Sequence, residues 1–270
     1  MNQKTTRFEK LFVVIDPTRM VQPALIKSER IATKHDASLF LYCCVFDERV
    51  VGHEAEQQIE LELAHECLER LAAAAREKGL DVEVQVEWNS DWRSAAVAAA
   101  NASGSSLVVK TVSQHSALGR RFMKTSDLLL LRECTDPVLL VSGRQRWTNN
   151  KLLAAIKLKP EDEPHERLNE RLVGLSHSIA ERAGFDVYAV TAHKGGEDMF
   201  FDRQQFADFC QVPRNRVFSA EGAPEQAIAA VADDIKPDVI VVGNPGGAAS
   251  NTARLLIDQV ETDILVLPQL

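Results

Sequence analysis

Several signatures are missing from this 270-residue chain, and each absence removes a class of function. There is no Gly-x4-Gly-Lys-Ser/Thr stretch, which argues against a P-loop hydrolase. There is no Gly-x-Ser-x-Gly nucleophile elbow. A helical zinc site of the His-Glu-x-x-His type is lacking too: His65-Glu66 is followed by Glu69 where the second histidine would stand. His53, His115, His165, His177 and His193 are scattered, so no metal is expected. Positive charge is in deficit. The net charge is −8, and both halves are acidic, with 17 basic against 20 acidic residues up to Gly143 and 14 against 19 after it. Such a chain is repelled by phosphate backbones and anionic lipid, so no nucleic acid and no membrane surface is expected as partner.

Long hydrophobic runs are absent as well. The longest uncharged stretch, Ser94 to Val109, is diluted by Asn101, Ser103, Gly104, Ser105 and Ser106, which excludes a transmembrane helix. Met1 to Arg7 is polar and carries no signal-peptide h-region. The five cysteines are odd in number and lack CxxC spacing. Cys43 and Cys44 are adjacent in an apparent strand, so their side chains take opposite faces. Reduced thiols in a cytoplasmic protein are the expectation.

What is present is a pattern written twice. Short apolar runs, Leu11–Ile15, Leu39–Phe46, Val82–Val86, Leu107–Val109 and Val138–Val141, read as strands. Between them Pro23–Lys34, Glu54–Lys78, Asp91–Asn101 and Ser126–Cys134 read as helices. In the longest helix Ile59, Leu63, Cys67 and Leu71 recur every fourth residue and predict the buried stripe. Gly143 to Asn150 is polar and aperiodic and is expected to be a linker. The order then repeats with strands Leu152–Ile156, Val187–Val190, Val217–Phe218, Val239–Val242 and Ile264–Leu267, and helices Glu166–Arg182, Arg203–Cys210, Pro224–Ile235 and Ala253–Val260. The alternation predicts an α/β fold: two tandem five-stranded parallel open-sheet domains, residues 1–143 and 144–270. The second copy is shortened, chiefly where the long second helix has no full counterpart.

In a parallel open sheet, ligands bind beyond the carboxyl ends of the strands, at the switch in strand order. The loops after the first and fourth strands therefore matter most. In the second copy the fourth strand runs into Gly243-Asn244-Pro245-Gly246-Gly247, then Ser250-Asn251-Thr252 opens a helix. Glycine backbone and helix-start amides suit an anion. A tight strand-to-helix turn accounts for the same residues without any ligand.

Glu221-Gly222-Ala223-Pro224-Glu225, the Ala-rich helix after it, Asp238 to Gly243 with Gly246, and Asn251-Thr252-Ala253 resemble the universal stress protein family. So do Leu11–Asp16 and Thr125-Ser126-Asp127 through Val141, and the layout is similar to the tandem, E-type branch. The resemblance implies two adenine nucleotide alpha hydrolase-like domains pairing as a pseudo-dimer through their last strands, Val138–Val141 and Ile264–Leu267. It also implies an acidic residue closing the first strand and a Gly-x2-Gly-x9-Gly-Ser/Thr loop wherever nucleotide is bound.

Asp16 matches the acidic position in the first copy, but its loop reads Lys110-Thr111-Val112-Ser113 and ends at Lys124-Thr125. In the second copy Gly243 and Gly246 match the loop's opening. Only three residues separate Gly246 from Ser250, and the acidic position is Lys157. Each copy thus keeps one half of the motif.

ATP is therefore an incomplete match in both, with Gly243, Gly246, Gly247, Ser250, Asn251, Thr252 and Asp16 as candidate binding residues. The loops Asp16-Pro17-Thr18-Arg19 and Lys157-Leu158-Lys159-Pro160 lack the Ser/Gly-rich sequence of ATP-using ligases in this fold. The resulting expectation is a non-catalytic cytoplasmic stress-response protein, holding a small ligand or presenting a surface to protein partners. The competing readings are weak nucleotide hydrolysis in the second copy, or an apolar or acyl ligand near Trp88 and Trp92. Arg120-Arg121 with Lys124 is the one compact basic cluster.

Overall fold

A computed structural model describes residues 7–112, 120–143, 146–158, 162–193, 201–246 and 252–269, and of residues 120–126 the backbone alone. The chain divides into two compact units, one of Phe8–Gln145 and one containing Arg146–Leu270. The first unit runs β1 (Lys10–Val14), α1 (Pro23–His35), β2 (Ser38–Val45), α2 (Glu54–Arg76), β3 (Val82–Trp88), α3 (Trp92–Ala102), β4 (Leu107–Thr111), α4 (Arg120–Glu133) and β5 (Val138–Val141). The second runs β6 (Lys151–Ala155), α5 (Glu163–Ala183), β7 (Asp186–His193), α6 (Arg203–Cys210), β8 (Val217–Glu221), α7 (Pro224–Ile235), β9 (Val239–Asn244), α8 (Thr252–Gln259) and β10 (Asp263–Pro268).

Within the first unit the strands lie side by side as β3-β2-β1-β4-β5, and within the second as β8-β7-β6-β9-β10. The pairings inside each unit are parallel. The chain therefore moves one way across three strands, then returns, and the reversal falls between β1 and β4 and between β6 and β9. Their carboxyl ends are where a crevice forms in such sheets. The central strands are apolar throughout because helices cover both faces; Leu11, Phe12, Val13, Leu152 and Leu153 are fully buried. The edge strand β3 alternates Val82, Val84 and Val86 with Glu83 and Gln85.

Local signals end the helices where they should. Pro23 and Pro224 occupy first turns, and Asp91 accepts from Ser94 N at 3.2 Å. Gly184 closes α5 at φ 74°, and Asp36 closes α1 in the same left-handed region at φ 52°.

One expectation is corrected. The buried stripe of α2 is Ala64, Leu68, Ala72 and Ala75, whereas Ile59 and Leu63 are more than half exposed. Alanines let the helix lie close on the sheet, so the bulkiest apolar residues do not mark its inner face. The division between the units falls within the expected linker, and Arg146–Asn150 packs on the second unit. Trp147 is buried, donates from Nε1 to Asp263 at 2.8 Å and meets Phe185 edge-on at 5.5 Å. The amides of Thr148 and Asn149 both bond the Asp238 carboxylate at 2.9 Å. No helix among the described residues is long and apolar enough to cross a membrane.

Candidate functional site

Each unit closes its first central strand with the same device. In the first, the buried Gln22 side chain donates from Nε2 to Asp16 O at 2.6 Å and its Oε1 lies 3.4 Å from Asp16 N. In the second, the buried Asn169 donates from Nδ2 to Lys157 O at 2.7 Å and accepts from Lys157 N at 3.2 Å. A carboxamide offers a donor and an acceptor side by side without charge, matching a backbone N–H and C=O at a strand end; Asp16 O also accepts from Arg19 N at 3.1 Å. The two amides stand six and twelve residues past the clamped residue, a difference that hides the likeness in sequence.

The side chain at that position differs. Both Asp16 oxygens are engaged by its own loop: Oδ1 accepts from Thr18 N at 3.0 Å and Thr18 Oγ1 at 2.6 Å, and Oδ2 pairs with Arg19 Nε at 3.2 Å. Asp16 therefore builds the β1–α1 turn. Lys157 is exposed, and its positive charge helps keep Asp162, the N-cap of α5, below the ordinary carboxylate range, after the larger effect of the His165 hydrogen bonds.

Strand register corrects the matching of the glycine loop. Val109 lies opposite Val13 and Val241 opposite Ala154, each three residues before Asp16 and Lys157. Two residues on, Thr111 and not Lys110 corresponds to Gly243. The layer above explains both residues. Thr111 Oγ1 accepts from the α1 amide of Ala24 at 3.0 Å, so the first turn of that helix is already capped. A Cβ on Gly243 would stand 2.7 Å from Leu168 Cδ2 and 3.2 Å from Leu172 Cδ1. The glycine is there because α5 packs directly on it.

Lys110 points to the other face, where its Nζ pairs with Asp127 Oδ1 at 2.6 Å, with side chains 9% and 2% exposed. Counting back from the ends of α4 and α8, the second unit has buried Val242 and Ala253 in those two places. One unit fills this layer with an ion pair, the other with hydrocarbon.

Asn244 Oδ1 accepts from Gly246 N at 3.2 Å, turning the chain so that Gly246 takes φ 79°, a conformation suited to glycine, and among the described residues no atom lies within 4 Å of where its Cβ would stand. Thr252 begins α8. Gly247, Ser250 and Asn251 lie outside the described residues, as does Ser113.

A residue that motif reading missed sits at the same edge. Arg171 of α5 donates from Nη1 to Pro268 O at 2.9 Å, and Pro268 is the β10 partner of Asn244. Partial burial pulls its pKa below the ordinary arginine value, and no carboxylate partner serves it among the described residues. Only the folded register brings it to the glycine turn, 75 residues away in sequence.

The other candidates find partners within their own unit. Trp88 packs on Phe46 at 5.6 Å, and the Arg93 guanidinium lies over Trp92. The side chains of Arg120, Arg121, Lys124 and Thr125 are outside those described. His177 Nε2 meets Cys210 O at 2.8 Å. All five cysteines are free thiols, and among the described residues no group of three His, Cys, Asp or Glu side chains could hold a metal.

A model of the universal stress protein family matches residues 7–142. Over nearly its whole length the chain is 26% identical to universal stress protein E of Escherichia coli K12, covering 96% of this chain and 94% of that protein. It is 22% identical to the universal stress protein E homolog of Haemophilus influenzae, covering 96% and 97%. A functionally unknown protein from Pseudomonas aeruginosa PAO1 superposes with a TM-score of 0.80 at 25% identity, covering 99% of this chain and 94% of that one. A universal stress protein from Archaeoglobus fulgidus shares the fold at a TM-score of 0.76 and 13% identity, covering 99% and 98%.

Proposed function

The chain belongs to the universal stress protein family, and we propose that it is a non-catalytic, cytoplasmic, tandem-domain member whose second unit holds a small phosphate-bearing ligand. The observation that carries this reading is the contrast at the switch points. In the first unit the acidic side chain, the helix start and the fourth-strand threonine are all engaged by neighbours within the unit. In the second, the half-buried Arg171 stands at the strand edge that precedes the positive-φ Gly246, whose Cβ position meets no atom of the described residues, with Thr252 opening the next helix and Lys157 at the neighbouring strand end. Cationic side chains, turn amides and a helix N-terminus favour the same ligand charge.

The non-catalytic part rests on the same residues. A general base must lie within hydrogen-bond reach of the attacking water, and for a ligand at the switch point the candidate is the side chain ending the first central strand. The first unit's carboxylate there is bound into its loop, and the second unit offers an ammonium group.

ATP and inorganic phosphate are the ligands to titrate, by calorimetry on the full chain, alongside native mass spectrometry of the protein as purified. Micromolar ATP binding is expected, weakened at least tenfold by Arg171→Gln and by Gly246→Val, and unchanged by Asp16→Asn. Wild-type protein that carries no nucleotide and binds neither probe overturns the reading; ATP turnover would restore the hydrolase alternative.

A further inference from the structure

The first half of α2 is a stretch of helix that the first unit does not use. From Glu54 to Leu63 no residue is buried, and the helix enters the core only at Ala64. Yet this segment carries Ile59 and Leu63, 54% and 56% exposed, one turn apart on one face. At 100° per residue Ile59 stands half a turn around from buried Leu68, so it points away from the sheet. Val51, in the turn just before the helix, is 56% exposed as well. The equivalent helix of the second unit, α6, has eight residues where α2 has 23, so the fold itself does not need the extension.

Charge decides what fits there. Glu54, Glu56, Glu60, Glu62 and Glu66 line the segment, no Lys or Arg occurs from Val50 to Leu68, and Glu69 beyond them is paired with Arg76 at 2.8 Å. Two copies of this face would bring ten carboxylates together, which opposes self-association through it. We propose that the outer face of α2 is a docking site for a basic, amphipathic helix of a partner protein. The partner's apolar stripe would cover Ile59 and Leu63 while its Lys and Arg residues meet the flanking glutamates, the helix-on-helix mode read from i and i+4 anchors. The site stands on its own observations and is independent of any ligand in the second unit.

The test uses the intact protein and three labelled 18-residue peptides in fluorescence anisotropy: a basic amphipathic Leu/Lys helix, a scrambled peptide of the same composition, and an acidic amphipathic counterpart. The basic helix is expected to bind at micromolar concentration, at least tenfold tighter than the scrambled peptide, with no binding of the acidic one. Ile59→Ser with Leu63→Ser should weaken it at least tenfold, and Glu60→Gln with Glu62→Gln and Glu66→Gln should weaken it and flatten its salt dependence. Phe209→Ser, at an exposed apolar residue of the second unit, should change nothing. Equal binding of the scrambled peptide, or an unaffected Ile59→Ser/Leu63→Ser variant, overturns the proposal. So does a wild-type dimer in sedimentation that this variant dissociates, which would assign the face to a second copy. All these positions are exposed, and circular dichroism confirms that the variants fold.

Discussion

The two units answer the same structural problem with different chemistry. Both return across the sheet in the same strand order and both clamp the end of the first central strand with a buried amide. Where they part is in the layers above and below the fourth strand. The first unit inserts a threonine cap on one face and a buried ion pair on the other; the second uses a bare glycine beneath two leucines and an apolar pair. The lesson is that a missing motif residue need not leave a gap. It can be replaced by an internal interaction that makes the site self-sufficient.

The sharpest way to break this comparison is at Lys110 and Asp127. Lys110→Val or Asp127→Ala alone strands a buried charge and is expected to cost about 3–5 kcal/mol in urea unfolding. Together they reproduce the second unit's Val and Ala, and the double variant should regain most of that loss. A double variant as unstable as the sum of the singles would show that the layers are not equivalent.

Alkaline pH should separate the units next. Burial pushes the Cys43 and Cys134 thiols up to about 12 in the first unit, and Cys44 to about 11; in the second only Cys210 is raised, to about 12. The folded state keeps these protons while an unfolded thiol loses its own near the ordinary value, about 8.5. Above that value the unfolded chain binds fewer protons, so stability falls as pH rises toward 12. Unfolding followed from about pH 8 to 11 should show the first unit losing stability faster, and parallel losses would contradict it.

Filling the glycine comes third. Gly243→Val drives a side chain into Leu168 and Leu172 and is expected to cost about 1–3 kcal/mol. Leu168→Ala in the same chain should relieve part of it, a recovery readable in the thermal midpoint. The smallest expected effect tests what the units share: Gln22→Ala and Asn169→Ala each remove the buried amide's hydrogen bonds to the backbone, at about 1–2 kcal/mol, and should be alike. A large difference between them would end the claim of a common clamp.

Much of this fold was legible from residue order. Continuous apolar runs such as Leu11–Ile15 and Val239–Val242 betray strands covered on both sides, and the repetition of the alternation betrays two copies. The inner face of α2 was not legible, because Ala64, Ala72 and Ala75 are buried by closeness to the sheet, and periodicity scores Ile59 and Leu63 above them. The candidate site was half visible. Gly246 could be read from its turn sequence, but the correspondence of Thr111 with Gly243 depends on pairing to β1 and β6, since one residue of register exchanges the two faces of a strand. Arg171 carried no local signal at all.

The sequence by itself determined the succession of strands and helices, their repetition and the acidic balance, because periodicity, caps and charge are local or additive. Only the tertiary structure decided which buried polar groups meet: Gln22 with Asp16, Asn169 with Lys157, Lys110 with Asp127, Arg171 with Pro268. Those pairings depend on strand register and helix placement, and a buried polar group must find its partner wherever packing puts one.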